Sequence, residues 1–66
     1  MSENEFRLDA TRGVLVRIGD KVVKNQVIGQ KADGTCQPFF CPIGGKVKSI
    51  DFDAEKHQFI VLIEQN

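Results

Sequence analysis

Cys36 and Cys41 are the chain's two thiols and His57 its single imidazole, so a soft-metal site, a redox pair or a nucleophile–base couple would have to be built from these three. The thiols are five positions apart, wider than the CxxC of redox motifs. One histidine completes neither a four-ligand zinc set nor a Cys/His pair oriented by a third group. Both cysteines lie in the apolar stretch Cys36-Gln37-Pro38-Phe39-Phe40-Cys41-Pro42-Ile43, where a free thiol behaves as a small hydrophobe. No metal and no disulfide is expected. The acids Asp51, Asp53 and Glu55 alternate along a turn that lacks the glycine and closing glutamate of a calcium loop, and they read as solvated charges.

The elements that position these groups are short. At 66 residues the chain holds one small domain, with little core to enclose a preorganised catalytic cavity, so an enzyme is not expected. Nine basic side chains balance nine acidic ones, and no apolar run approaches the length of a membrane span. The acidic opening Met1-Ser2-Glu3-Asn4-Glu5 is unlike a secretory signal, which makes cytoplasm the expected location. Seven basic residues between Arg12 and Lys48 face only Asp20 and Asp33, yet no aromatic interleaving accompanies them, and neither nucleic acid nor membrane is an expected partner.

No stretch has helical period, and the expected fold is all-β. Residues 5–9 alternate polar and apolar, residues 14–18 are rich in β-branched side chains, and 21–24 and 26–31 follow across a turn at Asn25. Asp33-Gly34 predicts a tight two-residue hairpin turn before a segment from Thr35 to Phe40, with Pro38 at a sheet edge or bulge. Residues 46–52 alternate with a break near Ser49 that predicts a bulge, and His57 to Glu64 close the chain, with Phe59-Ile60-Val61-Leu62-Ile63 apolar on both faces, as for a central strand. A shift of 32 positions lays Gly13 on Gly45, Ile18 on Ile50, Lys24 on Lys56, Gln26 on Gln58 and Ile28 on Ile60. Two such halves predict mutually covering units about a pseudo-twofold axis.

Two segments carry a family resemblance. Residues 14–28 contain a strand ending in Gly19-Asp20, a valine two residues on at Val22, and a turn leading to Gln26 and the apolar pair Val27-Ile28. Cys41-Pro42-Ile43-Gly44-Gly45-Lys46-Val47 is similar to an Ala-Pro-x-x-Gly-x-Val motif. Together they resemble the biotinyl/lipoyl carrier domains over roughly residues 13 to 64. The resemblance implies a barrel-sandwich hybrid of two small antiparallel sheets. It also implies a lysine at the tip of the hairpin between the halves, where a cofactor would be attached. Here the tip position falls on Asp33-Gly34-Thr35, and Lys31 precedes it by three or four residues. The second half looks trimmed, since Ile50-Asp51-Phe52-Asp53 lacks the Gly-Asp turn of the first.

The resulting expectation is a cofactor-free binding or assembly module, with another protein or a second copy of the chain as partner. The alternative is an active biotin or lipoyl carrier subunit modified at Lys31 for carboxyl or acyl transfer. Pro38, Phe39 and Phe40 are the candidate partner-binding residues. In an extended segment one ring would enter the core and the other face outward; if the chain curls at the prolines, both are buried.

Overall fold

The computed structural model describes residues 2–35 and 37–65, and among them there is no helix. Six strands form: β1 (Ser2–Asp9), β2 (Lys21–Val22), β3 (Val27–Gln30), β4 (Pro38–Phe40), β5 (Gly45–Asp53) and β6 (Gln58–Gln65). They make a four-stranded antiparallel sheet in the order β1-β6-β5-β2 and a two-stranded antiparallel sheet, β3-β4. The all-β expectation and its two small antiparallel sheets are thus what the chain adopts. Among the described residues no helix is long and apolar enough to cross a membrane.

β6 lies at the centre of the larger sheet, and its registers against β1 and β5 explain how alternating sequence becomes a core. Phe6, Val61 and Ile50 stand in one cross-strand row, and Ile63 pairs with Val47; side chains two apart share a face. That face is buried: Leu8, Val22, Val47, Val61 and Ile63 join Ile28 of the smaller sheet, with Val16 and Cys41 from the connections, in one cluster. The opposite face carries Glu3, Glu5 and Arg7, beside half-buried Ile60 and Leu62 of β6. The register slips by one residue between Val47 and Ser49, where the alternation of the sequence breaks, and Lys48 is the extra residue.

Two local expectations are corrected. Residues 14–18 form no strand. Gly13 and Gly19 take left-handed φ angles of +73° and +95° at either end, and the segment ties different sheets together rather than pairing along one. Leu15 N–H donates to the Ile28 carbonyl of β3 (2.9 Å), whereas Gly19 N–H donates to the Val47 carbonyl of β5 (2.8 Å). β-Branched composition suits such a bridging segment as well as a strand, because Val16 is buried either way. Asp33-Gly34 likewise does not make a two-residue turn. The paired strands end at Gln30 and resume at Pro38, closed by a bond from Lys31 N–H to the Gln37 carbonyl (2.9 Å). The Asp33 carboxylate accepts from the Thr35 N–H at 3.0 Å and from the Thr35 hydroxyl at 2.6 Å, and this local closure replaces a strand ladder.

The two halves share a turn but not a sheet plan. Asn25 and His57, 32 positions apart, are the two described non-glycine residues with positive φ (71° and 54°), each just before the second strand of its half. After the first turn the chain changes sheet, from β2 to β3; after the second it returns along β5 as β6.

Candidate partner-binding surface

The two-stranded sheet presents the candidate residues. In β4 the side chains alternate, so Pro38 and Phe40 face outward and Phe39 inward. Phe39 packs at the margin of the core with its ring 5.6 Å from that of Phe6, and Phe40 is 54% exposed. Phe40 pairs with Val27 and Pro38 with Gln30, which puts Val27 and Gln30 on the same outward face of β3. The segment stays extended, because Cys41 N–H donates to the Gln26 carbonyl (2.8 Å) and Asn25 N–H donates to the Cys41 carbonyl (2.7 Å).

Beside this face lies a half-open trough of about 340 Å³, lined by Arg12, Gly13, Leu15, Val27, Gly29, Gln30 and Pro38. Leu15 is 69% exposed at its rim. Arg12 is held there by the turn after β1: Gly13 N–H donates to the Ala10 carbonyl (3.3 Å), and Thr11 N–H donates to the Asp9 carboxylate (2.8 Å). That backbone hydrogen bond is the main reason the Asp9 carboxyl titrates below its ordinary value. Leu15, Arg12 and Gln30 were not singled out from sequence as a site. Their association depends on the 14–18 segment crossing beside β3, which no local pattern announces.

The loop between β3 and β4 carries Asp33, Gly34 and Thr35 fully on the surface, with Gly34 at φ +83°. The Thr35 hydroxyl and then its N–H hold the Asp33 carboxyl below its usual range. Lys31 is exposed, but its backbone is fixed at the base of this loop by the bond to Gln37 and by an isolated bridge to Leu8. Cys36 lies outside the described residues.

The remaining reactive groups are dispersed. Cys41 is fully buried and its thiol donates to the Ile43 carbonyl (3.1 Å). His57 sits in the β5–β6 turn, edge-on to the Phe52 ring at 5.9 Å. Among the described residues no three of His, Cys, Asp and Glu gather as a metal-binding group. Asp53 is occupied structurally: its carboxylate accepts from the Glu55 and Lys56 N–H groups and from Arg7 (3.1 Å). The Lys56 N–H and then Arg7 depress its carboxyl below the ordinary value. On the outer face Lys48 pairs with Glu3 and, at 3.9 Å, with Glu64; the hydrogen bond to Glu3 raises the lysine. Two of the chain's basic side chains are thereby spent on its own acids.

No protein-family model matches the chain, and no curated protein is significantly similar to it.

Proposed function

We propose that this chain is a biotinyl/lipoyl-like barrel-sandwich hybrid whose two pseudo-twofold halves have diverged. It carries no prosthetic group and acts without catalysis, as a cytoplasmic binding or assembly module. The partner is another protein or a second copy of the chain, held on the outward face of the small sheet through Pro38 and Phe40, with Phe39 anchoring that strand from beneath.

The observation that carries this reading is the loop between β3 and β4. Its apex offers Asp33, Gly34 and Thr35, closed on themselves by the Asp33 carboxylate, and no amine. A carrier needs a mobile lysine projecting from a tight tip, whereas the Lys31 backbone is locked where the strands begin. The exposed ring of Phe40, flanked by two prolines in sequence, is the kind of aromatic anchor that concentrates binding energy at interfaces. Free, buried Cys41 suits a reducing compartment.

Intact-mass measurement of the protein purified from its native host tests the reading. The mass of the unmodified polypeptide is expected. A mass increase matching biotin or lipoate and mapping to Lys31 would make the chain an active carrier subunit instead.

A further inference from the structure

β1 is an outermost strand of the larger sheet, so only one of its two edges is paired with β6. Ala10 N–H donates to the His57 carbonyl (3.1 Å) in continuation of the unbroken β1–β6 register, so the even-numbered residues of β1 turn their peptide groups toward β6. Those of Glu3, Glu5 and Arg7 point the other way. At the far end of that outer edge an antiparallel bridge joins Leu8 to Lys31, and among the described residues no strand pairs with Glu3 or Glu5 on that side. Unpaired edges invite another chain, and proteins shut them with proline, bulges or charges pointing inward. β1 has none of these: its register is continuous, and Asn4, Phe6 and Leu8 occupy its inner face. What it carries is charge on the outer face. Lys48 serves both Glu3 and Glu64 (the latter at 3.9 Å), and Arg7 serves both Glu5 (3.8 Å) and Asp53 (3.1 Å), so four acids share two cations. Lys46, opposite Glu64 in the register, lies two strands in from the open edge.

We propose that this edge takes up an extended segment of a partner polypeptide as a further antiparallel strand, with basic side chains at alternate positions opposite Glu3 and Glu5. The partner's peptide groups bond those of Glu3 and Glu5. Its cations stand on the outer face, where residues two apart on facing strands share a spacing of roughly 7 Å. The intervening apolar side chains fall on the inner face beside Phe6, whose ring already packs on Phe39 at 5.6 Å. Backbone pairing supplies affinity and the charge pattern supplies selectivity, as in other cases of strand addition. A second copy of β1 fits badly. Because only odd-numbered residues offer free peptide groups, the symmetric pairings centre on Glu3, Asn4 or Glu5. The first sets Glu3 against Glu3, and the second sets Glu3 against Glu5 twice, where like charges directly opposite repel. The third brings Ser2 of the other copy onto Leu8, where Lys31 already lies. The proposal does not use Pro38 or Phe40 and is independent of the partner held there.

The test is titration of the isotope-labelled protein with acetyl-Thr-Lys-Val-Lys-Val-Thr-amide, followed by amide NMR, with the same peptide carrying glutamate in place of both lysines as control. Shifts centred on the Glu3 and Glu5 amides are expected, with affinity at least ~10-fold lower for the acidic peptide and falling as salt is added. N-methylation of the peptide at its two lysines removes the donors that face β1 and should abolish binding, whereas N-methylation at its two valines, which face away, should leave it. The double variant Glu3→Lys/Glu5→Lys should reverse the preference and bind the acidic peptide more tightly, a gain that a merely misfolded chain does not produce. Equal affinity for the two peptides overturns the proposal, as do shifts centred away from β1, no shift at about a thousandfold excess of the basic peptide over micromolar protein, or equal sensitivity to methylation at either pair of positions. Shifts of the Glu3 and Glu5 amides on concentrating the protein without peptide would assign the edge to a second copy and overturn it as well.

Discussion

β5 and β6 face each other over eight paired positions, as do β1 and β6, whereas β3 and β4 share three pairs and β2 only two with β5. The long ladders hold themselves by repetition. The short region between β1 and β5 is held by turns and caps instead: the Asp20 carboxylate on Arg17 N–H, the Gln26 amide oxygen on Val23 N–H, and the Asp33 carboxylate on Thr35 N–H. The difference teaches how a small chain divides its work. A continuous three-strand scaffold supplies four of the eight buried core side chains among the described residues, Leu8, Val47, Val61 and Ile63, and a capped periphery with short ladders supplies the other four and carries the exposed Leu15 and Phe40 and the trough beside Leu15.

The contrast is broken most severely at Gly45. A Cβ there would meet the Glu64 backbone carbonyl oxygen at 2.3 Å, inside the β5–β6 ladder, where the backbone cannot step aside. Gly45→Ala is expected to cost about 3 kcal/mol or more, enough to unfold a domain of this size, as followed by denaturant unfolding. Next comes the scaffold core. Ile63→Ala deletes a fully buried side chain and should cost about 3 kcal/mol, whereas Leu15→Ala on the periphery should stay within about 0.5 kcal/mol. Equal costs would erase the distinction between the two regions. A cap is worth less: Gln26→Ala frees the Val23 N–H and should cost about 1 kcal/mol, with faster hydrogen exchange confined to residues near the β2–β3 turn.

The smallest effect is expected in acid. The carboxyls of Asp9, Asp33 and Asp53 all lie below the ordinary value of 3.8 in the folded chain, so the stability they contribute is fully present above 3.8. It is lost as pH falls through that value toward their folded-state range. Asp33 is exposed and Asp9 and Asp53 are only half-buried, so thermal melts should show only a shallow decline. Added salt should weaken the Asp53–Arg7 part and spare the Asp33–Thr35 hydrogen bonds.

The scaffold was largely legible in the sequence because its physics is local and periodic. Alternation in residues 5–9 and 46–52 announced β1 and β5, the break at Ser49 announced the bulge, and the doubly apolar run from Phe59 to Ile63 announced the central strand. The turn at Asn25 was legible too, since asparagine tolerates the left-handed backbone it adopts. The periphery was not. Residues 14–18 carry strand composition, but Leu15 bonds the smaller sheet and the adjoining Gly19 the larger one, a choice made by tertiary contact. Asp33-Gly34 reads as a hairpin tip until the carboxylate bonds Thr35. The candidate surface was half legible: period two predicted opposite faces for Phe39 and Phe40, but Arg12, Leu15, Gln30 and Pro38 meet only through the fold.

Native-state hydrogen exchange tests the division between ladder and periphery most directly. The amides of Phe59, Val61 and Ile63 should exchange only through global unfolding, with Leu15, Asn25 and Lys31 at least about 10-fold faster through local opening of the capped region. Equal protection at all six positions would show one cooperative unit and contradict the account.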